Sequence, residues 1–222
     1  MDGIQSWVEF VVGRPGEILG YTIEHAILVA AVMASAAFVS ILVGIAVHES
    51  MAGRSVALSV AGVLITLPSL ALFAIFIPVF GLGWTPSFVA LFLYALLPIL
   101  RNTVVGLNEV DPAVLESAKG MGLSSRQTLV KVKLPLAWPV ILTGIRVSTL
   151  FITGVAAIAK LIGGPGLGHY IREGQTRLGL PLGMERLWTG VVFIVLLALA
   201  FDAFYLILNR LTTPRSLRSR GG

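Results

Sequence analysis

A chain of 222 residues that is 56% hydrophobic and only 12% charged, with a mean hydropathy of +0.93, cannot be a soluble globular enzyme, a class that carries about 25% charged residues. Its lack of cysteine excludes a disulfide framework, a thiolate metal site and a redox dithiol. The net charge of +5 would suggest nucleic acid in a soluble protein, but here the basic residues are first explained by membrane topology.

Residues 1–24 mix Asp2, Glu9, Glu17 and Glu24 with Arg14, unlike a signal peptide, and read as a retained N-terminal segment. Ile4, Trp7, Val8 and Val11 fall at helical spacing, which suits a short amphipathic surface helix as well as it suits a disordered leader. Beyond them, stretches near 26–47, 56–80, 87–107, 136–159 and 187–208 each have the length of a bilayer crossing. The predicted fold is therefore all-α and polytopic, with five transmembrane helices over residues 25–208. Lys and Arg content fixes its orientation. One side would hold Arg54, Arg101, Lys119, Arg126, Lys131, Lys133, Arg210, Arg215, Arg218 and Arg220; the other, only Arg14, Lys160, Arg172, Arg177 and Arg186. The richer side is cytoplasmic, which puts the N-terminus outside and leaves residues 209–222 as a basic cytoplasmic tail beside anionic lipid.

Pro68 and Pro78 fall inside the second span and Pro98 inside the third. A missing N–H and a ring clash would kink or break those helices, although membrane helices also use proline simply for packing. Between spans three and four, residues 108–139 leave the membrane. Asp111 can cap a helix with Pro112 at its first position, Gly120 and Gly122 end it, and Ser124 with Gln127 has the spacing of a capping box. A second helix follows, and Pro135 and Pro139 mark the start of the next span. Residues 160–186 are glycine-rich, so they form an external loop with at most a short helix.

The stretch Glu116, Ser117, Ala118, three residues, Gly122, nine residues, Val132, Lys133, Leu134, Pro135 resembles the E-A-A, x3, G, x9, I-x-L-P loop of binding-protein-dependent ABC importer permeases. Ser117 and Val132 depart from the usual Ala and Ile. The resemblance implies that this loop docks on a separate ATP-hydrolysing subunit. Further segments resemble the osmoprotectant subfamily, whose substrates are glycine betaine, carnitine, choline and related quaternary amines. Thr22, Glu24 and His25 resemble its T-x-E-H; Thr66, Pro68 and Ser69 its T-x-P-S; Tyr94, Leu97, Pro98, Arg101, Asn102 and Thr103 its Y-x-L-L-P-x-x-R-N-T; and Gly163, Gly166, Leu167 and Gly168 its outer I-G-x-x-G-L-G loop. Methionine permeases share the coupling loop and parts of the outer loop, so the cargo assignment rests on T-x-P-S and R-N-T.

No G-x-x-x-x-G-K-[ST] occurs, so the glycine-rich loop is not an ATP site, and the chain carries no cofactor: ATP and magnesium would be bound by partner subunits. The implied partners are two ATPase subunits, a second permease copy or paralogue, and an extracytoplasmic solute-binding protein, in a bacterial inner membrane. Arg146 and Asp202 lie deepest in their spans and either pair, share a water-filled cavity, or snorkel to the inner interface. His25, His48 and His169 lack metal-ligand spacing, and no Ser-His-Asp arrangement suggests catalysis. Trp84, Trp138 and Trp188 suit interfacial belts, with an aromatic cage for a quaternary ammonium as the other reading. The rivals to an importer of osmoprotectants are a permease for another small solute such as methionine, or a stand-alone channel or carrier.

Overall fold

The computed structural model describes residues 3–213, and among them every regular element is helical. Helix α1 (Gly3–Val12) leads into α2 (Pro15–Val47), α3 (Met51–Thr66), α4 (Ser69–Phe80) and α5 (Trp84–Asn108). The polar elbow holds α6 (Pro112–Gly120) and α7 (Ser125–Thr128). A π segment (Leu129–Lys133) joins α7 to α8 (Leu134–Val155), and a 3-10 turn (Ile158–Ile162), α9 (Gly168–Thr176) and α10 (Gly183–Thr212) follow. The expected basic tail beyond Thr213 lies outside the described residues.

Four of these helices are long and apolar enough to cross a membrane, and α3 with α4 makes a fifth only if that bent pair counts as one span. The stretch read as a single crossing over 56–80 is two helices bent by 95°. Pro68 causes the break: its ring drives Leu67 out of the helical region to φ −64°, ψ 136°. Pro78, Pro98 and Pro139, by contrast, sit inside α4, α5 and α8 without ending them.

Two boundaries also differ from expectation. Helix α2 begins at Pro15, well before residue 26, because Pro15 suits a first helical turn and Glu17 favours the positive end of the helix. Nor does the fourth span start afresh at Pro135. Ser125–Val155 is one helical run, with the Leu134 N–H bonded to the Leu129 carbonyl. That wider π turn carries the ladder past a residue that has no N–H and would clash with the carbonyl four positions back.

Helix α5 is the hub, packed against α2, α3, α4 and α8. Between apolar helices in lipid, association relies on close backbone approach and hydroxyl bonds. Both occur around Pro98. Ser148 of α8 donates to the Ala95 carbonyl at 3.0 Å, and Ser40 of α2 donates to the Leu96 carbonyl at 3.2 Å. Gly44 of α2 lies against Thr103, where an added Cβ would come within 2.5 Å of the Thr103 methyl; at Gly144 of α8 a Cβ would meet Asn102 at 2.6 Å and the Pro98 carbonyl at 2.8 Å. Helix α10 buries only residues of its first half, such as Thr189, Gly190 and Ile194, while Leu199, Phe204, Ile207 and Leu211 remain exposed.

Overpacking of this kind costs about 1–3 kcal/mol. Gly144→Val should therefore lower the thermal midpoint of the detergent-purified protein, whereas Gly62→Ala, whose Cβ meets nothing within 4 Å, should leave it level or raised. Equal midpoints for the two variants would show that the α5–α8 approach is not tight.

Candidate functional site

At the elbow, each turn follows from its local sequence. Asp111 Oδ1 accepts from the Ala113 N–H at 2.9 Å and caps α6, with Pro112 following at the first position. The helix then closes in a Schellman motif: the Leu123 N–H bonds the Ala118 carbonyl and the Gly122 N–H bonds the Lys119 carbonyl. That geometry puts Gly122 at φ +79°, which explains the need for glycine there. Ser124 and Gln127 complete a reciprocal capping box on α7. Glu116, Ser117, Gly122 and Pro135 are exposed, Ala118 is buried, and Val132 and Leu134 are half-buried. Val114, Met121 and Val130 are exposed apolar side chains on the same elbow.

Lys133, in the π segment, ties the elbow to the end of α2. Its Nζ lies 3.1 Å from His48 Nε2 and 3.1 Å from Glu49 Oε1. His48 Nδ1 sits 2.7 Å from the Ile45 carbonyl, which can only accept, so Nδ1 carries the proton and Nε2 accepts from Lys133. The Lys133 hydrogen bond, reinforced by its charge, holds the Glu49 carboxyl below its ordinary range.

In the N-terminal third of α2, the glycine-rich loop lies on Glu24 and His25. Glu24 Oε2 accepts from the Gly166 N–H at 3.1 Å, and His25 Nδ1 accepts from the Leu167 N–H at 3.3 Å. His25 is fully buried, and its Nε2–H donates to the Thr153 carbonyl of α8 at 3.0 Å. Gly166, Leu167 and Gly168 are buried and Gly163 is exposed. Nearby, His169 stacks on Tyr21 with centroids 4.3 Å apart, and burial pushes its imidazole below the usual value.

The T-x-P-S and Y-x-L-L-P segments converge at the α3–α4 break. Tyr94 Oη donates to the Leu67 carbonyl at 2.5 Å, and its ring meets Phe151 edge-on. Thr66 and Pro68 are exposed beside it and Ser69 is half-buried; Pro98 lies one turn along α5 from Tyr94. Arg146 and Asp202 face each other as a bidentate pair, Nε to Oδ1 at 2.6 Å and Nη2 to Oδ2 at 2.9 Å, joining α8 to α10. The tryptophans do not form one cage. Trp138 bonds Thr212 at one end of α10, while Trp188 is in the first turns of that helix, about 36 Å away at 1.5 Å per residue.

Reading the residues alone missed three roles. The spacing of His25 and His48 argues against metal ligation and assigns them no other contact, and Lys133 reads as a cytoplasmic charge at the variable position of the coupling motif. The T-x-E-H match was the available signal for His25; no sequence signal pairs Lys133 with His48.

Comparison with known proteins is consistent along the chain. The family described as "Binding-protein-dependent transport system inner membrane component" matches residues 36–214. The chain is 38% identical over 212 residues to the choline transport system permease protein OpuBB of Bacillus subtilis, covering 95% of each. It is 34% identical over 216 residues to the osmoprotectant import permease protein OsmW of Salmonella typhimurium, covering 95% of this chain and 99% of that one. Its fold is similar to a chain of the inward-facing MetNI methionine ABC transporter, with a TM-score of 0.77 at 20% identity, covering 89% of this chain and 96% of the other.

A charge in an apolar slab needs its partner. Arg146→Leu and Asp202→Asn should each lower the thermal midpoint in detergent, and the exchange Arg146→Asp with Asp202→Arg should recover part of the loss. An exchange variant no better than either single one would show that the pairing contributes nothing.

Proposed function

From the premise that this chain belongs to the binding-protein-dependent transport system inner membrane components, we propose that it is the permease subunit of an ATP-driven importer of quaternary-amine osmoprotectants such as choline, glycine betaine or carnitine. The observation that carries the coupling role is the elbow. A capped helix, a glycine turn and a second helix present Glu116, Met121 and Val130 at the surface of a protein whose other exposed faces are largely lipid-like. The cargo class is supported by relatives named for choline and osmoprotectant transport that are matched over nearly their whole lengths. The likeness to the methionine transporter, at 20% identity, concerns the fold and not the cargo.

In this reading the chain crosses the inner membrane five times, with α3 and α4 as one broken crossing. The N-terminus faces outward, and the elbow faces the cytoplasm with Lys119, Arg126, Lys131 and Lys133. Two ATPase subunits seat the elbows of two permease copies, or of this chain and a paralogue, and an external solute-binding protein delivers cargo at the glycine-rich loop. ATP and magnesium belong to the partner subunits and supply the free energy. This chain's residues turn that energy into a choice between two arrangements of the bundle. The α3–α4 break is the candidate gate, formed by Thr66, Pro68 and Ser69, with Pro98 one turn along α5 from Tyr94. Non-helical backbone at membrane depth is tolerated where it is buried in protein or lines a cavity. Tyr94 supplies the bond that the Leu67 carbonyl would otherwise lack, so a change of gate state must exchange that bond for another.

Uptake of labelled glycine betaine by proteoliposomes holding the complete complex should require ATP. Glu116→Lys, on an exposed position, and Gly122→Asp, at a positive φ, should abolish uptake while the chain still inserts. Uptake without nucleotide would establish a carrier instead, and competition by methionine but not by choline would reassign the cargo.

A further inference from the structure

Helix α2 is the longest helix among the described residues, and it is gripped at its C-terminal end and again within its N-terminal third by the two segments that the proposed function places at opposite membrane faces. We propose that α2 is the rigid link between the coupling elbow and the glycine-rich loop. Lys133, His48 and Glu49 are the positioning residues at the C-terminal end; Glu24 and His25 are those at the second grip. This rests on the importer reading and adds the route by which its two faces communicate.

At the elbow end, Lys133 sits between Val132 and Leu134 of the coupling motif. Its side chain is only 16% exposed, so it is packed in place while its Nζ bonds His48 and Glu49 in the turn that ends α2. Three features favour the ammonium there. Glu49 supplies a formal charge, His48 presents the lone pair of a neutral imidazole, and the carboxyl end of the helix carries partial negative charge. His48 is itself anchored to the helix by its Nδ1–H on the Ile45 carbonyl. The elbow therefore holds the backbone of α2 through a fixed intermediary.

From His25 at the second grip to Val47 at the end of the helix is about 33 Å at 1.5 Å per residue, more than the ~30 Å apolar core of a bilayer. No proline interrupts the helix between the two grips. Glu24 and His25 receive two consecutive backbone N–H groups of the loop, Gly166 and Leu167, and His25 also reaches the Thr153 carbonyl of α8. There is no slack at this joint. A Cβ on Gly166, which stands at φ +97°, would lie 2.8 Å from His25 Cβ. Hydrogen bonds weaken steeply with lengthening and misalignment, so α2 cannot slide past either segment without losing a set of bonds. Movement of the elbow accordingly displaces the loop, and a partner seated on the loop biases the elbow.

The test uses the complete complex in nanodiscs with its ATPase subunits and solute-binding protein, and measures ATP hydrolysis with loaded binding protein relative to hydrolysis without it. Lys133→Met and Glu24→Ala should each reduce that stimulation ratio about tenfold, within the usual range of inter-site coupling. Lys133→Arg should retain most of it, which a merely space-filling role would not predict. The double variant should be no worse than the more severe single one, because both act through one helix. Wild-type stimulation in Lys133→Met, or a double loss equal to the product of the two single losses, overturns the proposal. A wild-type complex that shows no stimulation at all defeats the importer reading instead.

Should the variants fail to assemble, the cysteine-free sequence allows a direct measurement with spin labels at exposed sites. Between nucleotide-free and ATP-trapped complexes, the distance from Ile23→Cys on α2 to Leu161→Cys beside the loop should stay constant. Over the same step, the distance from Leu42→Cys on α2 to Leu206→Cys on α10 should change. A shift in the first distance, or constancy of both, rejects the rigid link.

Discussion

A backbone carbonyl left without a helical donor in an apolar surrounding must find a donor elsewhere, and this constraint organises the bundle. Pro68 breaks the ladder, and the hydroxyl of Tyr94 comes across from α5 to satisfy Leu67. One turn before Pro98, the carbonyls of Ala95 and Leu96 receive hydroxyls from α8 and α2. The bond that repairs the break at Pro68 is thus also a bond between helices, and the hydroxyl bonds to the carbonyls beside Pro98 join two more. Because they gather on α5, that helix holds α2, α4 and α8 in mutual register, and the tight approaches at Gly44 and Gly144 leave those neighbours little freedom to drift.

Where the structure was legible in the sequence, local chemistry decided it. Asp111 before Pro112, Gly122 four residues past Ala118, and Ser124 with Gln127 are signals whose geometry is complete within a few residues, and each takes the expected form. Pro68 was readable as a disruption, but not as a bend of 95°, since the angle depends on what α4 packs against. Pro135 was misleading. Proline removes one helical hydrogen bond without having to end the helix, and here a π turn carries the chain past it into α8. The same reasoning separates the charges. Arg146 and Asp202 stood out because each was isolated in an apolar run, whereas Lys133 lay among other basic residues, and its partners sit more than eighty positions away.

The polar side chains of the bundle are distributed with economy. The Arg146–Asp202 pair ties α8 to α10, His25 ties α2 to α8, and Lys133 ties the π segment back to α2, so α8 and its π extension take part in all three. Between Val191 and Leu208 the rest of α10 is apolar apart from Tyr205, with Leu199, Phe204 and Ile207 exposed, a surface suited to lipid or to a neighbouring subunit.

The π segment has a consequence for phase. A π turn amounts to one residue inserted into an α-helix, so removing one residue between Leu129 and Lys133 would restore α winding, with a kink at Pro135, while leaving the faces of α7 and α8 close to their present alignment. Removing one residue farther along, between Leu134 and Ile145, would rotate everything beyond it by about 100° and swing Arg146 out of line with Asp202. The seam between elbow and span is thus the one stretch of this helical run where the length of the polypeptide can change without turning its azimuth.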